Sequence, residues 1–99
     1  MSKRYNVYVV VLSDEAGERL NPHLPCVFVG QTYRTPEERF YQHRKGKKAS
    51  RWVKKYGIKL RPDLYEDINP IKDRKTALLW ESTLADMLRE EGYTVFGGH

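Results

Sequence analysis

The sequence predicts an α+β domain, a small antiparallel sheet of about three strands flanked by helices. Three observations carry that expectation. Two runs rich in β-branched and aromatic residues, RYNVYVVVL at 4–12 and CVFVGQ at 26–31, have the composition of strands. Helix start and stop residues then bracket three later segments. Finally, 99 residues with 39% hydrophobic side chains suffice for one small core and leave no room for a second domain. The expected organisation is therefore a single domain over 1–99.

The first strand ends at the polar, turn-forming SDEAGER, and the second follows Asn21-Pro22 and Pro25. The two are expected to pair antiparallel across a loop of a dozen or so residues. Thr35-Pro36-Glu37-Glu38 opens the first helix: Thr35 at the N-cap, Pro36 at the first helical position, and Glu38 closing a capping box. Gly46 stops it. Ser50 caps a second, short helix with Trp52, Val53 and Tyr56 at helical spacing, ended by Gly57. The stretch LRPDLYEDI at 60–68 reads as a third, weaker strand, with Pro62 excluding a central position near its start. Asp73 caps the last helix, Arg74–Glu91, which stops at Gly92; YTVF at 93–96 offers a short terminal strand.

Charge is concentrated in one place. Residues 1–33 balance to zero and residues 62–99 carry a net −4, whereas 34–61 hold eleven basic against two acidic side chains, a net +9. Such density reads either as a polyanion-binding surface or as a solvated helical face that keeps the chain soluble. The residues expected to meet nucleic acid are Arg34, Arg44, Lys45, Lys47, Lys48, Arg51, Lys54 and Lys55. Phe40, Tyr41, Trp52 and Tyr56 interleave with them, either to stack on bases or, more in keeping with their spacing, to fill helical core positions. The longest apolar run, 7–12, is far short of the roughly twenty residues of a membrane span, and the start MSKRYNV lacks a signal-peptide core. Together with the single Cys26, placed as a small hydrophobe would be, this predicts a cytoplasmic protein without a membrane partner.

Two helical features stand out. Arg39 and His43 are four apart and share a face of the capped helix. Glu81 falls inside the apolar stripe formed on the last helix by Ala77, Leu84, Ala85 and Leu88. A carboxylate there needs an offset for its desolvation. Either Arg39 supplies a structural salt bridge, or Glu81 and several waters hold a hydrated Mg²⁺ against substrate phosphate.

Two strands ending in an aromatic-x-Gly step, then a helical Arg, a His four residues on and one late helical Glu resemble the GIY-YIG endonuclease superfamily. The first signature element is Asn6-Val7-Tyr8 and the second Phe28-Val29-Gly30, continuing through GQTYRTPEERFYQH. The resemblance spans Tyr5 to Gly98 and implies a GIY-YIG-like fold and metal-dependent hydrolysis of DNA phosphodiester bonds, with branched or flapped DNA as candidate substrates. It implies that Tyr8 contacts or activates the attacking water and that Arg39 holds the scissile phosphate. It further implies that His43 assists Tyr8 and that Glu81 is the sole protein ligand of the metal, Mg²⁺ first and Mn²⁺ second. Two positions depart from the pattern. The second signature tyrosine is Phe28, and the late asparagine of many members has no counterpart, His99 occupying the nearby tail.

The chemistry of these side chains agrees with those roles. A guanidinium stays charged and forks onto two phosphate oxygens. A phenol titrates near 10, too high for a base at neutral pH unless cations lower it; Arg39 and Mg²⁺ could do so, with His43 accepting the proton in relay. Should Tyr8 not be the base, Tyr33 and Tyr41 near the Arg39 helix are next in line. Each residue also has a plainer use: Tyr8 as a core aromatic, His43 as a surface residue, Arg39 as a salt-bridge partner. Two rival functions follow, a nucleic-acid-binding module that lost hydrolysis through Phe28, and a protein-interaction domain with a basic face.

Overall fold

A computed structural model describes residues 4–98. The elements in chain order are β1 (Asn6–Leu12), β2 (Cys26–Thr32), α1 (Pro36–Lys45), α2 (Arg51–Tyr56), β3 (Gly57–Leu60), α3 (Arg74–Glu91) and β4 (Thr94–Gly97). Two 3₁₀ turns, Asp14–Ala16 and Pro62–Leu64, lie between them. The architecture is α+β. The expectation of about three antiparallel strands is corrected to a four-stranded mixed sheet in the order β3-β1-β2-β4.

β1 is buried from Val7 to Leu12 without alternation, because it is an inner strand covered on both faces. It pairs antiparallel with β2 in the register Tyr8↔Gly30 and Val10↔Phe28, so the side chains of Tyr8, Val10 and Phe28 share one face. β4 runs parallel to β2, with Phe28↔Phe96 and Val29↔Gly97. Parallel pairing needs a long crossover, and the eighteen-residue α3 supplies it.

The strand expected at 60–68 is displaced. β3 ends at Leu60, where that expectation began, since Pro62 has no N–H to continue a ladder and opens a 3₁₀ turn instead. Gly57 donates its N–H to Val53 O, capping α2, and at once begins β3. Farther on, other groups serve the edge of β1 that β3 leaves open. The Asn69 amide accepts from Val7 N–H at 2.9 Å and donates to Val7 O at 2.7 Å, and Tyr5 and Ile71 exchange both backbone bonds at 2.7 Å.

The caps form as the sequence predicts. Thr35 Oγ1 accepts from Glu38 N–H at 3.1 Å while Glu38 Oε1 accepts from Thr35 N–H at 3.2 Å, fixing the start of α1. Asp73 accepts from Thr76 N–H at 2.7 Å to start α3. That helix sends Ala77, Leu84, Ala85 and Leu88 into the core, with Glu81 among them at 5% exposure. No helix of the described residues is long and apolar enough to cross a membrane.

Candidate functional site

Tyr8, Phe28, Gly30, Arg39, His43 and Glu81, which come from β1, β2, α1 and α3, all line one cleft of about 470 Å³. Tyr8 is its buried centre, with 2% of its surface exposed. The phenol lies across the facing residue of β2: a Cβ on Gly30 would come within 2.5 Å of Tyr8 Oη. Only a residue without a side chain lets the ring occupy that place. At the other side of the cleft Gly97 has φ 72°, and a Cβ there would meet the Phe28 ring at 2.7 Å.

His43 reaches in from the last turn of α1 and is 1% exposed. Its Nε2 lies 2.8 Å from Tyr8 Oη, and its Nδ1 accepts from the Ser50 backbone N–H at 3.0 Å. A backbone N–H can only donate, so Nδ1 carries no proton. Burial, aided by the Arg39 charge, holds the imidazole down at about 4. The neutral ring therefore keeps its one hydrogen on Nε2 and donates it to Tyr8 Oη. That geometry gives His43 a different task from the expected relay: it offers Tyr8 a donor rather than accepting a proton. The sequence marked Ser50 only as a helix cap, which it also is, accepting from Trp52 N–H at 3.2 Å.

The Tyr8 hydroxyl is pushed up to about 12, first by burial; the Arg39 charge lowers it and the Glu81 charge raises it. In the protein alone Tyr8 keeps its proton at neutral pH. Arg39 is steered by the turn that follows its helix. Its guanidinium donates to Lys48 O at 2.8 Å, to Lys47 O at 3.3 Å and to Gln42 Oε1 at 3.3 Å. Gly46 at φ 84° and Lys48 at φ 44° bend the backbone so that those carbonyls face the helix they leave. All three acceptors are neutral oxygens.

Phe28 is half-buried, its ring centroid 6.3 Å from that of Tyr8 and edge-on to His43 at 5.9 Å. It walls the cleft without adding a titratable atom. Among the described residues no three His, Cys, Asp or Glu side chains gather as a cage for a metal. Among the described residues Glu81 is the one acidic side chain lining the cleft, and a hydrated Mg²⁺ needs only one or two carboxylates, completing its shell with water and phosphate oxygens. Glu81 fits such a role.

The other expected site residues divide. Lys48 lines the Tyr8 cleft, and Arg34, Lys47 and Tyr33 line an adjoining one. Arg44, Lys45, Arg51, Lys54 and Lys55 lie exposed along α1 and α2 and line neither. Tyr41 is 62% exposed and outside both. Phe40, Trp52 and Tyr56 pack against the core, and Trp52 also stacks on Phe96 at 4.4 Å. His99 lies outside the described residues. Gln42, Ser50 and the Gly97-Gly98 pair are participants that sequence reasoning missed; only the glycine pair left a legible signal. Compared with family models, curated proteins and solved structures, the chain matches none.

Proposed function

We propose that this protein is a metal-dependent endonuclease of the GIY-YIG type that hydrolyses DNA phosphodiester bonds. The observation that carries the reading is the convergence of Tyr8, Arg39, His43 and Glu81 on one cleft, with Tyr8 and His43 joined at 2.8 Å. In this reading Arg39, held by neutral carbonyls, binds the non-bridging oxygens of the scissile phosphate. Glu81 holds Mg²⁺ or, in its place, Mn²⁺. The ion, when bound, would offset the negative charge that builds on the phosphate oxygens and would lower the pKa of nearby water.

Tyr8 Oη already accepts the His43 Nε2–H, so its own hydrogen is free for the cleft, where it orients the attacking water. To act as base the phenol first releases that hydrogen to a water of the cleft; the donor from His43 favours the resulting phenolate, which then takes a proton from the attacking water. Neutralising the Glu81 charge removes one of the influences that hold the hydroxyl at about 12. The protein acts in the cytoplasm, a setting in keeping with its free, buried Cys26.

A second reading has its own support. Phe28 and the raised Tyr8 pKa both favour a module that binds nucleic acid without cutting it. Labelled linear, nicked and branched DNA incubated with Mg²⁺, Mn²⁺ or chelator separates the two. The nuclease cuts at least one form, only with metal, and Glu81→Gln abolishes the cutting while thermal stability stays near normal. Intact DNA under every condition rejects hydrolysis. A Glu81→Gln protein that loses about 3–5 kcal/mol of stability, as when a buried ion pair is broken, marks the carboxylate as structural.

A further inference from the structure

The adjoining cleft is the larger, about 700 Å³, and it shares Gln31, Arg39 and Lys48 with the Tyr8 cleft, so the two form one continuous depression. Arg34, Lys47 and Arg74 add three more cations from the β2–α1 turn, the α1–α2 turn and the first residue of α3. Among the described residues none of its lining side chains is a carboxylate. Its walls also hold two rings, Tyr5 and Tyr33; the latter is 63% exposed, with the Arg34 guanidinium 5.1 Å over it. Gln31 lines both clefts, and its Oε1 atom is buried with no hydrogen-bond partner. A buried acceptor in that state awaits a donor.

We propose that this second cleft binds a single, unpaired nucleic-acid strand next to the scissile phosphate, its backbone on Arg34, Lys47 and Arg74 and a base against Tyr33. Cations along a groove with an accessible aromatic platform are the make-up of single-strand sites. The volume falls in the range of roughly 300–1,000 Å³ that takes ligands of about nucleotide size, whereas a duplex, whose major groove alone is roughly 12 Å wide, stays outside. Gln31 Oε1 then accepts from a base N–H. The exposed cations of α1 and α2 remain for the paired region. The inference deepens the nuclease reading, on which it rests for the identity of the polymer, by giving an unpaired strand its own place beside the Tyr8 cleft.

Fluorescence anisotropy in chelator, with the intact chain and either labelled oligothymidine or a duplex of equal length, tests it apart from cleavage. Arg34→Ala and Arg74→Ala should each weaken single-strand binding by about fivefold and each reduce the slope of log affinity against log salt by about 0.7. Tyr33→Ala should cost about tenfold. Duplex binding should change less than about twofold in all three and fall instead when Arg44 and Lys45 are replaced together by Ala. These substitutions are at solvent-reaching positions, and circular dichroism confirms that each variant is folded. Unchanged single-strand affinity in the Arg34→Ala/Arg74→Ala double variant overturns the strand site even if the wild type cuts DNA. The expected losses in a wild type that cuts nothing uphold the strand site and reject hydrolysis.

Discussion

The outer face of α1 and α2 and the Tyr8 cleft are both built from basic and aromatic side chains, and they use them differently. On the outer face Arg44 lies over Phe40, Lys45 over Tyr41, Arg51 over Trp52 and Lys55 over Tyr56, each cation 4.9–5.5 Å from the ring centre of a neighbour along the chain. Those charges reach solvent, are screened by salt, and act as a sum. In the cleft His43 has a partner at each ring nitrogen and Arg39 has three. There a single atom decides the chemistry. The contrast predicts that cleft substitutions act steeply and individually, and surface ones shallowly and by number.

The steepest effects concern the Tyr8 hydroxyl. Tyr8→Phe and His43→Ala should each lower the cleavage rate by about two to four orders of magnitude. His43→Gln, which keeps an N–H donor, should recover part of that loss, an outcome that a proton-accepting histidine does not produce. Gly30→Ala should be as damaging as Tyr8→Phe, since its Cβ would lie 2.5 Å from Tyr8 Oη, and should cost about 1–3 kcal/mol of stability. Wild-type rates in Gly30→Ala or Tyr8→Phe would break the comparison at its centre and turn attention to Tyr33 or Tyr41.

The helices with their caps were legible because their signals are local: a Thr, Ser or Asp followed within three residues by the N–H it binds, and a glycine at the end. Glu81 was legible because one carboxylate interrupts an apolar stripe. The sheet was less so. A four-residue β4 carries too little pattern to announce parallel pairing, and β3 starts on the glycine that caps α2, so its first residue reads as a helix end. What sequence could not give at all was the proton on His43. It depends on the Ser50 backbone N–H, and every residue but proline has one.

Next in size is a pH effect on stability. An unfolded histidine titrates near 6.5, and burial with the Arg39 charge holds His43 at about 4. Between those values the unfolded chain binds a proton that the folded chain refuses, so stability is full above the upper value and falls as pH drops toward the lower one. The loss attributable to His43 is up to about 3 kcal/mol. Urea titrations of wild type and His43→Gln at several pH values in this window isolate it, because carboxylates contribute alike to both. Identical pH slopes would mean that the imidazole is not held neutral.

On the surface the expected response is a change of slope. If about five of the side chains in 34–61 touch phosphate, log affinity for a DNA duplex that carries an unpaired arm should fall against log salt with a slope near −4 to −5. Replacing Lys47, Lys48, Lys54 and Lys55 by Ala should flatten it while the fold persists. All four are exposed, and Lys47 and Lys48 hold Arg39 through backbone carbonyls that alanine retains. An unchanged slope would place the DNA on another face.

The smallest effect is expected where the chain departs most plainly from the family it resembles. The ring of Phe28 walls the cleft edge-on to His43, but the His43 Nε2–H is already given to Tyr8, so a hydroxyl added at position 28 joins no existing chain of donors. Phe28→Tyr should therefore change the cleavage rate by no more than about tenfold, about 1.4 kcal/mol of barrier. A larger gain would mean that the second hydroxyl shares the work assigned to Tyr8. An inert wild type that Phe28→Tyr converts into a nuclease would mean more: a cleft whose hydrogen bonds are complete but whose chemistry is one oxygen short, in a protein that binds DNA without cutting it.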